Sequence, residues 1–127
     1  MPRVVHFEIH ADDPERAAKF YNRVFNWKID KWKGPEDYWL ITTGSDKEPG
    51  INGGLMKREE PATGESIVAY VCTIDVDSVD KFTGRITVNG GSIVAPKMAI
   101  PGVGWLAYCK DAEGNMFGIM QSDGSAK

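Results

Sequence analysis

Residues 4–10 alternate apolar and titratable side chains, and this period of two constrains the fold more than any other feature of the chain. Apolar side chains fall on one face of the predicted strand, at Val5, Phe7 and Ile9. Titratable side chains fall on the other face, at His6, Glu8 and His10. Neighbours on one face lie roughly 6.6 Å apart at the usual strand rise. We therefore predict a half-buried β-strand whose polar face can line a cleft.

The residues that follow predict that this strand leads into a helix. Asp12 and Asp13 supply an acidic N-cap, and Pro14 suits the first helical position. Apolar side chains then recur at helical spacing, at Ala17, Phe20, Tyr21, Val24 and Phe25. Asn26 can adopt the left-handed conformation that ends a helix.

The same order of elements, a strand, a helix and three strands, is predicted twice. The first repeat covers residues 3–58, a charged linker covers 59–65, and the second repeat covers 66–122. In the second repeat, acidic residues at 75–77 are expected to cap the helix and Asn89-Gly90-Gly91 to end it. A half of this size leaves one sheet face exposed and can cover it with a copy of itself. The predicted fold is α+β, a single domain of residues 1–127 in which two βαβββ repeats form a curved mixed sheet, or half-barrel, around a cleft, with the helices on the convex side.

Composition excludes several function classes. The 127 residues carry a formal net charge of -3 and show no basic patch, which argues against a nucleic-acid partner. The first residues do not form an apolar signal segment, and the chain contains no run of ~18 apolar residues. We therefore expect no membrane span and a cytoplasmic location. Cys72 and Cys109 lie in strand-like runs and are expected to be small buried side chains in a reducing compartment.

Several short motifs, in this order and spacing, resemble the vicinal oxygen chelate superfamily, which includes glyoxalase I, bleomycin-resistance proteins, extradiol dioxygenases and methylmalonyl-CoA epimerase. The motifs are Asp12-Asp13-Pro14-Glu15-Arg16, Phe20-Tyr21, Phe25-Asn26-Trp27, residues 100–104 and residues 111–118. The resemblance extends from Val4 to Gln121 and agrees with the duplication.

The resemblance implies four metal-ligand positions, of which this chain keeps one. The first ligand position matches His6, and the others fall at or within one residue of Gly54, Ala69 and Gly118, which have no donor side chains. A Lewis-acid site of this class needs about three protein ligands. We therefore expect no intact metal site and no cofactor. The alternative is a divalent metal held by two side chains of the opening strand and completed by substrate or water.

The last hairpin predicts a second part of the cleft wall. If residues 111–114 form the turn, Lys110 opposes Asn115 and the pairing places Trp105, Met116 and Met120 on the cleft side. Larger apolar residues would then pack under the helices, namely Leu106, Tyr108, Phe117 and Ile119. The predicted ligand-binding residues are accordingly His6, Glu8, His10, Trp105, Met116 and Met120.

The leading functional hypothesis is a protein of this superfamily whose cleft binds a small organic molecule without the family metal, as the resemblance to bleomycin-resistance proteins implies. A metal-dependent lyase or isomerase similar to lactoylglutathione lyase, or a dioxygenase, using His6 is the first alternative. Without a metal, His6 and Glu8 could still act as a catalytic general acid or base, since imidazole titrates near neutrality. A non-catalytic dimerisation domain is the second alternative. The resemblance also implies a homodimer.

Overall fold

The computed structural model describes residues 2–59 and 69–127, which fall into two compact units. One unit spans His6–Tyr70, and the other joins Met1–Val5 to Val71–Lys127. Most of the predicted linker therefore lies outside the described residues. Within the described ranges, no helix is both long and apolar enough to cross a membrane.

The first unit follows the predicted order of elements. Strand β1 (Arg3–Ala11) leads into helix α1 (Pro14–Phe25), followed by β2 (Lys28–Lys31), β3 (Trp39–Thr42) and β4 (Asn52–Lys57). The predicted caps of α1 are confirmed: an Asp13 carboxylate oxygen accepts the Arg16 N–H at 3.2 Å, and Asn26 ends the helix with φ 61°. Asn26 is the one described non-glycine residue with a positive φ.

The four strands of this unit pair in the order β2-β3-β4-β1, with β1 parallel to β4 and the other pairs antiparallel. Apolar side chains of β1, β3 and β4 form its core, namely Phe7, Ile9, Ala11, Ile41 and Leu55. Partly buried side chains of α1 pack against this core, at Ala17, Ala18 and Tyr21. The predicted alternation of β1 is therefore confirmed at Phe7 and Ile9, which meet the helix side, whereas Val5 is 45% exposed and lies outside this core.

The second unit repeats this topology. Strand β5 (Val71–Asp75) and helix α2 (Val79–Val88) precede β6 (Ser92–Ile100), β7 (Gly104–Lys110) and β8 (Met116–Ser122). Its strands pair in the order β5-β8-β7-β6, again with the first and last strands parallel. The α+β fold with two βαβββ-like units is thus confirmed. The start predicted for β5 at Ile67 lies outside the described residues.

The N-cap of α2 differs from the prediction. Ser78, not an aspartate at 75–77, caps this helix, and its hydroxyl oxygen accepts the Lys81 N–H at 3.1 Å. A serine hydroxyl satisfies the same unpaired N–H as a carboxylate. The predicted end of the helix is confirmed, because Asn89 is the C-cap and the N–H of Gly91 donates to the Ile86 carbonyl at 2.9 Å.

The predicted register of the last hairpin is wrong by one residue. Lys110 pairs with Met116, and Tyr108 pairs with Gly118. The cause is the turn: the Asp111 N–H donates to the Asn115 carbonyl at 2.9 Å, and Gly114 takes a left-handed φ of 83°. The Asn115 side chain and backbone N–H both donate to the Asp111 carboxylate, which lowers the pKa of Asp111. The loop between the paired residues Lys110 and Met116 therefore has five residues, one more than predicted.

This register changes which residues share a face. The core under α2 contains Ala107, Cys109 and Ile119, and Trp105 and Phe117 pack against it. The face predicted for Trp105 is therefore wrong, as is the prediction that Leu106 and Tyr108 pack under the helix. Met116 and Met120 do lie on the opposite face, because they pair with Lys110 and Leu106. Cys109 is buried and Cys72 is half-buried, and both are free thiols.

Candidate functional site

Four side chains are connected by hydrogen bonds on the polar face of β1. His10 Nε2 lies 2.8 Å from Glu8 Oε1. The Tyr38 hydroxyl donates to Glu8 Oε2 at 3.2 Å, and its oxygen lies 2.9 Å from His6 Nε2. We call these four residues, His6, Glu8, His10 and Tyr38, the polar network. The structure thus brings together the three titratable residues that the sequence predicted and adds a tyrosine.

Glu8 is the buried centre of the polar network. Its residue exposure is 6%, in a chain where Thr73 is the other buried polar residue described. Taking a carboxylate out of water costs several kcal/mol unless hydrogen bonds or opposite charge compensate it. Two donors from the network, on His10 and Tyr38, supply part of this compensation. A buried charge with this arrangement on a sheet face is typical of a functional site.

The Tyr38 ring can lie next to Glu8 because the residue at position 54 is a glycine. Gly54 pairs with Glu8 on one side and with Leu40 on the other. A Cβ atom built on Gly54 would collide with the ring and hydroxyl of Tyr38. The tyrosine therefore occupies the space that any side chain at position 54 would need. The neighbouring Gly53 also allows a close approach, because a Cβ atom built there would collide with Phe7.

The residues at the family's ligand positions do not fit a metal ion. At position 54 the available space holds the Tyr38 hydroxyl, and Ala69 offers only a methyl group. At Gly118 a Cβ atom would already lie 3.1 Å from the Thr73 hydroxyl. Among the described residues, no group of three or more His, Cys, Asp or Glu side chains could hold a metal. The donor set therefore falls short of the three protein ligands that such a site needs.

The acid–base state of His6 follows from its surroundings. Burial lowers the pKa of His6 from its ordinary value of 6.5, and the nearby Glu8 carboxylate opposes part of this change. The unfolded chain therefore binds this proton more readily than the folded chain does. The stability gained by keeping His6 neutral is fully present above pH 6.5 and is lost as the pH falls from 6.5 towards the folded-state pKa.

Replacing Glu8 by glutamine should lower the pKa of His6 further, because the substitution removes the negative charge that favours the imidazolium. An NMR titration of the His6 ring proton measures this pKa directly. Glu15→Gln on the exposed first turn of α1 is the matched control and should leave the titration unchanged. A His6 pKa that rises in Glu8→Gln would contradict the conclusion that the Glu8 charge favours the imidazolium.

Two residues of this region were not predicted as functional. Tyr38 was given no role, and the sequence signal that could have identified it is the glycine that faces it at position 54. Arg58 is the last residue of the predicted first repeat and was given no role. Its Nη2 instead donates to the His10 carbonyl at 2.8 Å, and its Nε lies 3.2 Å from an Asp12 carboxylate oxygen. Arg58 therefore fixes the end of β1 that carries His10.

Trp105, Met116 and Met120 lie in the other unit. The Trp105 indole N–H donates to Asp123 Oδ2 at 3.0 Å, and the Lys97 ammonium lies 4.8 Å from its ring centre. These contacts give Trp105 a packing role beside α2. Met116 is exposed and Met120 is half-buried. The role in ligand binding predicted for Trp105, Met116 and Met120 stays a prediction.

A separate hollow of about 380 Å³ lies on the helix side of the first unit. Its wall contains none of the four network residues and is formed by Ala11, Asp12, Asp13, Arg16, Ala17, Phe20, Tyr21 and Arg58. The Asp13 carboxylate caps α1 and Asp12 pairs with Arg58, so both acids already have structural partners. The polar network is the better candidate site, because among residues 2–59 and 69–127 it alone buries a connected acid–base group.

Comparison with known proteins places the chain among relatives. Residues 3–119 match the family described as the Glyoxalase/Bleomycin resistance protein/Dioxygenase superfamily. A glyoxylase-like domain-containing protein of Didymella fabae is 31% identical over 126 residues, which cover 92% of this chain and 91% of that protein.

Solved structures share the fold at low sequence identity. A methylmalonyl-CoA epimerase in complex with methylmalonyl-CoA and NH4+ superposes with a TM-score of 0.68 at 14% identity, covering 100% of this chain and 99% of that chain. A glyoxalase/bleomycin resistance protein/dioxygenase superfamily member from Vibrio splendidus 12B01 superposes with a TM-score of 0.61 at 17% identity, covering 97% and 100%. At these identities the similarity establishes the shared fold.

Proposed function

The chain belongs to the glyoxalase/bleomycin resistance protein/dioxygenase superfamily, and from this we propose that it binds a small organic molecule at the polar network without the family's metal. The observation that carries the proposal is the Tyr38 hydroxyl. It fills the space of the missing ligand at Gly54 and hydrogen-bonds to both His6 and Glu8. The site has thus replaced a metal-ligand position with a hydrogen-bonding group.

Apolar surface beside the polar network supports an organic ligand. Leu40 pairs with Gly54, so it lies on the same sheet face as Glu8, and it is 46% exposed. The Trp32 ring meets the Tyr38 ring edge-on, with 6.4 Å between centroids. Small-molecule sites combine a few fixed polar groups with such apolar walls. The methylmalonyl-CoA epimerase that shares this fold is in complex with methylmalonyl-CoA. A small organic ligand in this chain is consistent with that complex.

A lyase or isomerase activity is the second candidate, and the continuity of the polar network favours it. Hydrogen bonds run from His10 through Glu8 and Tyr38 to His6. An imidazole in such a chain can take a proton from a bound molecule and return it, while the Glu8 carboxylate stabilises the imidazolium. His6 and Glu8 would be the catalytic residues. Exchange of a ligand C–H proton with deuterated water, abolished in His6→Ala, would establish this activity.

A thermal-shift screen of chelator-treated protein against a metabolite panel tests the proposed function. We expect at least one organic compound to raise the melting temperature of the wild type, because ligand binding stabilises the folded state. The same compound should lose most of this effect on Glu8→Gln and keep it on the control Glu15→Gln. A ligand that binds only after zinc, nickel or iron is restored would contradict the metal-independent site, as would an equal effect on both variants.

Assembly as a homodimer and residence in the cytoplasm are further parts of the proposal, and both derive from the sequence and its family resemblance. Sedimentation at high protein concentration tests the dimer. A pure monomer would remove this part of the proposal without affecting the ligand site, whose four residues all lie in the unit His6–Tyr70.

A further inference from the structure

We propose that Tyr38 is a positioning residue that fixes His6 in its Nε2–H form, so that Nδ1 carries the lone pair and the site accepts molecules that donate a hydrogen bond there, such as alcohols and ammonium groups. The ligand class rests on the proposed function. The tautomer rests on the hydrogen bonds alone.

The direction of the hydrogen bonds starts at Glu8. An ionised carboxylate can only accept, so the Tyr38 hydroxyl and the His10 ring must each donate to Glu8. Glu8 Oε2 receives the hydroxyl proton of Tyr38 at 3.2 Å, and Glu8 Oε1 receives Nε2–H of His10 at 2.8 Å. A tyrosine hydroxyl has one proton, and here that proton is directed at the carboxylate.

The hydroxyl oxygen of Tyr38 then determines the state of His6. His6 Nε2 lies 2.9 Å from this oxygen, and the oxygen has already committed its proton to Glu8. Nε2 must therefore carry the hydrogen and donate it. In a neutral imidazole the other nitrogen, Nδ1, is then the acceptor. The lowered pKa of His6, caused by burial, favours this neutral ring.

The same arrangement selects the ligand. The His6 ring can accept a hydrogen bond through Nδ1 but has no second proton to offer. The buried Glu8 carboxylate adds negative charge close to it. A ligand that brings a hydroxyl or ammonium group satisfies both features, whereas a carboxylate ligand meets a lone pair and a like charge.

Long-range ¹H–¹⁵N correlation spectra of protein labelled at histidine nitrogens test the tautomer at neutral pH. We expect wild-type His6 to show a protonated Nε2 and an unprotonated Nδ1. Tyr38→Phe removes the acceptor, worth about 0.5–1.5 kcal/mol, so the share of the Nδ1–H form should rise roughly 2- to 10-fold. Tyr21→Phe is the control, since its hydroxyl bonds Tyr70 at 2.6 Å instead of the polar network. An Nδ1–H wild type, or an unchanged Tyr38→Phe spectrum, would overturn the proposal.

Three ring-matched probes test the ligand class: benzylammonium, benzyl alcohol and benzoate. We expect the first two to move the His6 Nδ1 resonance at concentrations at which benzoate does not. A benzoate effect equal to either would overturn the ligand class and leave the proposed function intact, because an organic molecule would still bind. If neither these probes nor any metabolite moved the His6 resonances, the proposed function would fail while the tautomer result stood.

Discussion

Replacing Leu55 by alanine should lower the free energy of unfolding by about 2–5 kcal/mol, the range for a buried leucine cut back to alanine. Leu55 is 0% exposed, and it packs in one core with Phe7, Ile9 and Ile41. The substitution removes apolar contacts and leaves a cavity. Strand β4 is held between β1 and β3, so the surrounding residues can only partly collapse into this cavity. The loss should be among the largest for any single substitution in this unit.

Urea denaturation followed by tryptophan fluorescence measures this loss. Leu40→Ala on the adjacent strand β3 is the matched control, because Leu40 is 46% exposed. Its effect should stay within about 0.5 kcal/mol, as for most surface substitutions. Equal losses for Leu40→Ala and Leu55→Ala would contradict the assignment of the two sheet faces.

Gly54→Ala should disrupt the polar network. The added Cβ atom would fall where the Tyr38 ring and hydroxyl now lie, so the ring must move away from His6 and Glu8. Two hydrogen bonds worth about 0.5–1.5 kcal/mol each would be lost. We therefore expect ligand affinity to fall roughly 5- to 150-fold and stability to fall by about 1–3 kcal/mol.

Gly84→Ala is the matched control for this substitution. Gly84 lies inside α2, and a Cβ atom built there meets nothing within 4 Å. Alanine should stabilise this helix by about 0.5–1 kcal/mol, because glycine is the poorer helix former. Isothermal titration with a ligand from the metabolite screen measures the affinities. Unchanged affinity in Gly54→Ala would show that Tyr38 has no part in the site.

Much of the fold could be predicted because its signals are local. The alternation in β1 determines which side chains meet α1, and Asp13, Pro14 and Asn26 determine where that helix begins and ends. These signals depend on backbone geometry and on neighbours a few residues away. Local patterns of this kind are readable without tertiary information. The duplication follows from repeating them.

Two errors arose near the C-terminus, where side-chain hydrogen bonds decide the structure. The register of β7 with β8 depends on the Asp111 carboxylate accepting three hydrogen bonds within its own turn, and the resulting loop is one residue longer than predicted. The last residues lie outside the predicted second repeat. Asp123 nevertheless accepts hydrogen bonds from Trp105 and Ser125, and Ala126 is buried at 3% exposure. A period-of-two pattern is inverted by a one-residue shift, which is why Trp105 was assigned to the wrong face.

Tyr38 could not be predicted as part of the site, because its partners are distant in sequence. His6 lies 32 residues away and Glu8 lies 30 residues away. The pairing of Gly54 with Glu8 brings the tyrosine to them. In contrast, His6, Glu8 and His10 share one strand face, so their alternation alone placed them together.

The affinity of chelator-treated protein for its best organic ligand, measured in wild type and in Glu8→Gln, tests the central claim most directly. If the polar network binds the ligand without a metal, the wild type should bind after chelation and Glu8→Gln should bind at least ~10-fold more weakly, the effect of losing a hydrogen bond to a charged group. Binding that vanishes on chelation and returns with a divalent metal, or that is the same in both proteins, would contradict it.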